Sequence, residues 1–540
     1  MDTTRLKAGA ALFLIAGGVL VALFNPPPGE AQSGRHGVSL PRLSPAEKRG
    51  KQIYLYGTSP SGAKITAFLR DAAVEVPASS LTCANCHGYR GEGKPEGGVI
   101  PSVITREFLT KPYGVTHQSG RKHPPYADRS LEVSIVRGFD PAGNRLSGAM
   151  PVYQMSREDM QDLIAYMKVL GSDVDPGVSE STLRLGTIIP GEGPAREVGI
   201  AVRAVLEAYF AEVNRQGGIY GRAIDLRVLD IKSGEPVGVL VQRFIRNDEL
   251  FAMAGAFIAG SEKEVVSLVE QEEVPLIGPF TLYPRVEFPL NRHVFYLFAG
   301  LHEQALAVFN FSSEKADSAR RVAVVYPQSE HFASVVPTIE SKCLTLGWSA
   351  PQKLVYSHAS FDPSGVATAL KAFKADIVFL YTNSTETLAL MNAVSGMKQT
   401  ASFFLPGALA GPELLNIQRD VVASVHLSFP TLPLDQTQSG VAEYHQLAKR
   451  HALPPRHLTA QVNALGAAKV LVEALKLAGR DISREKLIST LEGFYQFQTG
   501  LTPAITYGLN RRIGALGAYV VSIDPDKKEF VPVSKWITLN

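Results

Sequence analysis

Residues 183–231 read LRLGTIIPGEGPAREVGIAVRAVLEAYFAEVNRQGGIYGRAIDLRVLDI. LRLGTIIP is an apolar run of strand length. AREVGIAVRAVLEAYFAEVNRQGGI places its apolar residues at helical spacing and stops at Gly217-Gly218, a helix-ending pair. AIDLRVLDI then returns to strand character. Strand, helix and strand in this order predict parallel strands with a crossover helix, and strands covered on both faces are apolar throughout.

The same alternation continues toward the C-terminus. LFAMAGAFI, VPLIGPF, RRVAVVYP, ADIVFLYT, SFFLPGAL and SVHLSFP are further strand-like runs, with helical stretches between them. From residue 183 to residue 540 the chain is too long for one sheet domain. Two α/β lobes with parallel sheets are therefore expected, their strand carboxyl ends facing a crevice. No glycine-rich phosphate fingerprint follows LRLGTIIP, which argues against a nucleotide. No Ser-His-Asp order or metal-ligand spacing stands out, so an enzyme active site is not expected.

Upstream the character changes. GSDVDPGVSEST is a polar hinge, with a linker placed at 173–182. Before it, SPAEKRGKQIYLYG predicts a helix with Ser44 as N-cap, Pro45 at the first helical position and Glu47 closing a capping box. SREDMQDLIAYMKVLG predicts another, with Ser156 as N-cap and Gly171 as C-cap. Between them lies a loop-rich stretch of Gly and Pro, from Ala78 to about Arg129. A unit over 44–172 built of short helices and loops needs another source of core.

SSLTCANCHGYRGEGK supplies it. The whole chain has three cysteines, and two of them, Cys83 and Cys86, stand here with His87 directly after. Cys-x-x-Cys-His is the attachment signature of c-type haem. Two thiols one helical turn apart can add to the two vinyl groups of one porphyrin, and the next residue can ligate the iron. A redox dithiol would prefer a neighbouring βαβ pattern, zinc would need two more paired ligands, and a disulfide across two intervening residues would be strained. One covalent haem c is expected, with His87 as proximal ligand. For the sixth ligand the candidates are Met150, Met155, Met160, Met167, His117 and His123. Met150, in the loop RLSGAMPVYQ, is preferred and Met155 is the runner-up, because Met160 and Met167 belong to a helix where methionine is ordinary core. His/Met ligation is the arrangement of electron carriers.

The compartment follows from the N-terminus. Arg5 and Lys7 precede an uncharged apolar run, Ala8 to Phe24, and then NPPPGEAQSG. Residues 1–31 read as a secretory signal peptide or as a retained transmembrane anchor, either of which exports the rest to the periplasm. Residues 32–43 read as a tether. Composition agrees with a globular protein: 45% hydrophobic, 19% charged and a net charge of +3 over 540 residues. That balance, without a basic stripe, implies no nucleic-acid partner. Cys343, in IESKCLTLGW, reads as a small buried hydrophobe.

On these motifs the stretch 44–172 resembles class I cytochrome c. The resemblance rests on Gly50 and Tyr54 in the first helix, Cys83-Ala-Asn-Cys86-His87-Gly88, GGVIP ending at Pro101, SIVRGFDPAGNRLSGAMP, and the closing helix with Tyr166. It implies a small all-α domain whose first and last helices cross at Gly50, with the Pro101 carbonyl fixing the proximal histidine. The stretch from Leu183 onward resembles the type I periplasmic solute-binding proteins, in particular the branched-chain amino acid and amide group of ABC importers. That resemblance rests on LGTIIPGEGPAREVGIAVRAVLEAYFAEVNRQGGIYGRAIDLRVLD, VPLIGPFT, ALGAAKVLVEALKLAG and LEGFYQFQTGLTPAITYGLNRRIGALGAYVVSID. It implies a two-lobed clamp over 183–540 that closes on a small solute. The family's carboxylate-holding loops map to Ala259-Gly260-Ser261 and Phe280-Thr281-Leu282, so Ser261 and Thr281 are candidate ligand-binding residues. Phe332, after His331, and Tyr381 are candidates from the second lobe, with core packing as the alternative for both. No acid lies near Ala408, where the family pairs one with the ligand ammonium, so the solute is not expected to be a zwitterionic amino acid.

Three functions compete on this reading. One is a periplasmic electron carrier coupled to a bound solute, serving a redox partner such as a periplasmic dehydrogenase. Another is the binding component of an ABC importer, with a permease as partner, that carries a cytochrome. The last is a ligand sensor without electron transfer.

Overall fold

The computed structural model describes residues 43–93, 101–117, 119–232, 236–286, 290–313, 319–397 and 400–539. The apolar run Ala8 to Phe24 and the GGVI of GGVIP lie outside them. Among the described residues no helix is long and apolar enough to cross a membrane. The chain divides into two compact units that part between Asp175 and Pro176.

The first unit is framed by two crossing helices, Pro45–Tyr56 and Arg157–Met167. Ser44 caps the first as expected: its hydroxyl accepts from the Glu47 amide at 3.3 Å, and Glu47 accepts from the Ser44 amide at 2.6 Å. Ser156 caps the second by accepting from the Asp159 amide at 3.0 Å. The second helix ends earlier than Gly171 would require. Its C-cap is Lys168, and Gly171 stands in the following turn at φ +87°, because the last residues tighten into turns before the left-handed glycine is reached. The helices meet at Gly50, where a Cβ would lie 1.9 Å from the Asp162 carbonyl oxygen and 2.7 Å from Tyr166 Cβ. Tyr54 and Tyr166 pack edge to face at 5.6 Å across this crossing. Arg49 clamps the same junction through both oxygens of Asp162, at 2.6 and 2.9 Å.

Between the framing helices lie short helices, Cys83–His87, Arg106–Leu109 and Asp128–Arg137. The unit also carries a small antiparallel sheet in which Thr66–Leu69 lies between Val74–Pro77 and Val152–Gln154. These strands are too short for apolar alternation to announce them.

The second unit has the two expected α/β lobes. The first-lobe sheet is all parallel, in the order Ile513–Ala515, Val294–Phe298, Leu276–Ile277, Ala252–Ala254, Thr182–Pro190, Ala223–Ile231. The second-lobe sheet runs Gln352–Tyr356, Val322–Pro327, Ile377–Leu380, Ser402–Pro406, Val425–Phe429, Gly517–Asp524, Glu529–Pro532. Its first five strands are parallel and its last junctions antiparallel. Among the described residues the chain crosses between lobes three times: after Phe298, after Phe429 and between Ala515 and Gly517. The helix Arg196–Arg215 ends at Gly217 and Gly218, both at positive φ, and the Gly218 amide closes back on the Val213 carbonyl at 2.9 Å. Cys343 is fully buried in Val336–Thr345, and burial pushes its thiol up to about 11.

Candidate functional sites

The helix Cys83–His87 is one turn long and is started by Thr82, whose hydroxyl accepts from the Asn85 amide at 3.3 Å. Two tyrosines bracket it: Tyr153 donates to the Leu81 carbonyl and Tyr54 to the Gly88 carbonyl, each at 2.7 Å. Cys83 and Cys86 are free thiols three residues apart on this turn, Cys83 half-buried and Cys86 exposed. Burial pushes the Cys83 thiol up to about 12, which is contrary to the activated thiolate of a redox dithiol.

His87 Nδ1 lies 2.8 Å from the Ser102 carbonyl oxygen. A carbonyl only accepts, so Nδ1 carries the proton and Nε2 keeps a lone pair for a metal. Burial lowers the His87 pKa, opposed by the Ser102 bond, and so favours the neutral ligating form. The carbonyl that fixes His87 is therefore Ser102's, one residue beyond the expected Pro101. The Pro101 carbonyl instead faces Gly93, where a Cβ would lie 2.6 Å from it and where φ is +81°. Two free thiols one turn apart, beside an imidazole oriented through its other nitrogen, fit covalent haem attachment. Among the described residues no group of three His, Cys, Asp or Glu side chains could hold a metal ion without it.

Met150 follows a loop held by polar side chains. Asp140 accepts from the Ala142 and Asn144 amides at 3.0 and 2.9 Å, from the Asn144 side chain at 3.0 Å, and from Arg121 at 2.7 Å. The Asp140 side chain is 0% exposed. Burial works to raise its pKa, but the bonds from Asn144 and Arg121 outweigh it and hold the carboxyl below its ordinary value. Arg70 donates to the Leu146 and Ser147 carbonyls at 3.1 and 2.9 Å. Gly148 presses against Asp71 so closely that a Cβ would lie 1.6 Å from the carboxylate. Met160 and Met167 are buried in the unit's core and Met155 packs against it, whereas half-buried Met150 lies outside that cluster. His117 and His123 are engaged with each other at 2.9 Å between Nε2 atoms, and Arg121 donates to His117 at 3.0 Å.

In the second unit the candidate residues come from the carboxyl ends of four strands, as a crevice site requires. Ser261 and Thr281 belong to the first lobe, Phe332 and Tyr381 to the second. Phe332 and Tyr381 are brought together, with ring centroids 5.9 Å apart. Tyr283 reaches them from the first lobe, 6.4 Å from Phe332 and 5.4 Å from the His331 ring. Burial raises the Tyr283 and Tyr381 pKa values, so both phenols stay neutral. Thr281 does not hold out a free hydroxyl. It donates to Glu262 Oε1 at 2.8 Å and accepts from the Tyr283 amide at 2.9 Å. The Gly260 amide donates to Glu262 Oε2 at 2.9 Å. Ser261 precedes the helix Glu262–Gln271 but does not cap it with its hydroxyl. Ala408 lies in the single turn Gly407–Leu409. Glu262 and Tyr283 are the residues that sequence reasoning missed. In GSEKEV an acid in the first helical turn looks like ordinary dipole complementation, and nothing local marks it as a cleft residue.

A family model for the periplasmic binding proteins matches residues 182–528, and one for cytochrome c matches residues 78–171. The chain is 22% identical over 335 residues to the Leu/Ile/Val-binding protein BraC3 of Rhizobium johnstonii, covering 61% of this chain and 89% of that one. It is 22% identical over 345 residues to Leu/Ile/Val-binding protein homolog 7 of Brucella abortus, with 61% and 85% covered. Among solved structures it is similar to a branched-chain amino acid ABC transporter protein from Thermus thermophilus with bound valine, at TM-score 0.54, 16% identity, and 66% and 97% coverage. It is also similar to a fatty acid ABC transporter substrate-binding protein from Thermomonospora curvata, at TM-score 0.52, 18% identity, and 67% and 94% coverage. At these identities the structural matches speak for the fold of the clamp.

Proposed function

Since the chain belongs to the periplasmic binding protein family and carries a cytochrome c domain ahead of the clamp, we propose that it is a periplasmic electron carrier coupled to a solute-binding clamp. Cys83 and Cys86 would hold one haem c, and His87 and Met150 would ligate its iron. Bound there, the haem supplies one-electron transfer. The observation that carries this reading is the His87 bond to Ser102, which orients the ring and leaves Nε2 for the metal beside two free thiols. Arg70 and Asp140 bond to the backbone leading to Met150, which supports Met150 over a methionine of the core. Held by His87 and Met150, the iron would serve electron transfer. A periplasmic dehydrogenase is the kind of redox partner this arrangement serves, and the N-terminal apolar run exports or anchors the protein.

Protein made with haem-attachment machinery should show a c-type spectrum that resists acid-acetone extraction. Met150→His should lower the reduction potential and remove the weak sulfur-to-iron absorption of the oxidised form. If Met155→His does this and Met150→His does not, the ligand is Met155.

A second reading rests on the relatives. The Rhizobium and Brucella proteins are named for leucine, isoleucine and valine binding, which favours the binding component of an importer. Tight binding of those amino acids, with import lost in a deletion strain, would establish that reading. Reduction of the haem by a dehydrogenase and its substrate would establish the first.

A further inference from the structure

We propose that the clamp takes a small amine-bearing solute without a carboxylate, its nitrogen directed at Glu262 and its body against Tyr283, Phe332 and Tyr381. This deepens, and rests on, the reading of the clamp as a solute-binding unit.

The argument starts from which polar groups are still available. Glu262 is 6% exposed. Its two oxygens already accept from the Thr281 hydroxyl and the Gly260 amide. The Gly260 amide and the Thr281 hydroxyl, which a ligand carboxylate could otherwise use in the loops the resemblance points to, are already occupied by the protein's own carboxylate. A ligand carboxylate would have to displace Glu262 or sit beside it, like charge against like charge in a water-poor cleft.

The same carboxylate is incompletely paired. Each oxygen retains acceptor capacity beyond the one bond it makes. Among the described residues the only basic side chain within ion-pair reach is His331, whose Nε2 lies 3.9 Å from Oε2, beyond hydrogen-bond distance, on a ring that is 48% exposed. No lysine or arginine among the described residues forms an ion pair with it. A ligand ammonium would add a charge-assisted hydrogen bond to the acceptor capacity that remains.

The rest of the cleft suits such a cation. The rings of Tyr283 and Phe332 meet across the lobes, backed by Tyr381, which is 2% exposed in the second-lobe core, and aromatic faces attract ammonium groups.

Isothermal titration of the full-length haem-loaded protein tests the assignment with matched probes. Isobutylamine and phenethylamine are compared with isovalerate and phenylacetate, with isobutanol and phenethyl alcohol, and with leucine and phenylalanine. One of the amines should bind at least about tenfold tighter than its matched acid, alcohol and amino acid, the ratio expected when a charged hydrogen bond is gained. Glu262→Gln should abolish that preference. Phe332→Ala, on the opposite lobe, should weaken amine binding severalfold and serves if Glu262→Gln fails to fold. If an acid, an alcohol or an amino acid binds as tightly as its amine, the amine assignment is wrong and the solute-binding reading stands. If no probe of any set binds, both are overturned.

Discussion

The two units hold their functional residues in place by different means. In the clamp, parallel strands such as Thr182–Pro190 and Ile377–Leu380 are buried almost throughout, and the cleft residues stand at the ends of those strands. Ladder hydrogen bonds and apolar burial fix them together. In the cytochrome c unit the strands are short, and backbone positions near His87 and Met150 are set by single side chains. Tyr54, Tyr153, Arg70 and Asp140 each bond to loop backbone. Where regular structure is thin, polar side chains take over the satisfaction of backbone groups that ladders provide elsewhere. The cost is that each such side chain matters more, and that the apolar core is smaller.

The most severe way to break this comparison is to remove the haem. With Cys83→Ser and Cys86→Ser together, the cytochrome c unit should lose its cooperative unfolding transition in calorimetry while the clamp transition stays. If the unit still melts cooperatively, its own core suffices and the contrast fails. Next in size is Asp140→Ala, which strands a mostly buried Arg121 and frees the loop toward Met150; about 3–5 kcal/mol should be lost from the first unit and none from the clamp. The acid dependence follows from the depressed Asp140 pKa. A lowered folded value contributes stability that is present above the ordinary aspartate range, about 3.9, and is lost as pH falls through the folded value. Wild type should therefore shed this contribution only in strong acid, and Asp140→Ala should lack that step. On the clamp side, Leu185→Ala removes a side chain that is 0% exposed and should cost about 2–5 kcal/mol by leaving a cavity. That loss should appear in the clamp transition alone. Gly50→Ala attacks the helix crossing itself. Its methyl would lie 1.9 Å from the Asp162 backbone carbonyl oxygen, so the helices must part and the loss should exceed the usual overpacking cost of about 1–3 kcal/mol, measured as a lower melting point of the first unit.

The parts legible in the sequence are those encoded locally. The Ser44 capping box, the Ser156 N-cap, the Gly217-Gly218 helix end and the Cys83–His87 turn all use residues within a few positions of one another. The Gly50 crossing was legible through resemblance, since a glycine on one helix says nothing by itself about what crosses it. Where reading failed, the deciding contact was remote or the signal too short. Ser102 in place of Pro101 behind His87 depends on the turn of a loop by one residue. The strand Val294–Phe298, in NRHVFYLFAG, passed unremarked between better-marked runs.

By itself the sequence determined two units, their classes, the haem-attachment motif and the alternation that makes a two-lobed clamp. Periodicity, capping and a three-residue thiol spacing are properties of neighbouring residues, and the chain writes them in order. Only the tertiary structure decided what Thr281 is doing. Its hydroxyl meets Glu262 because two strands of one sheet end side by side, 19 positions apart in the chain. That meeting engages a hydroxyl that the sequence reading had left free for a ligand.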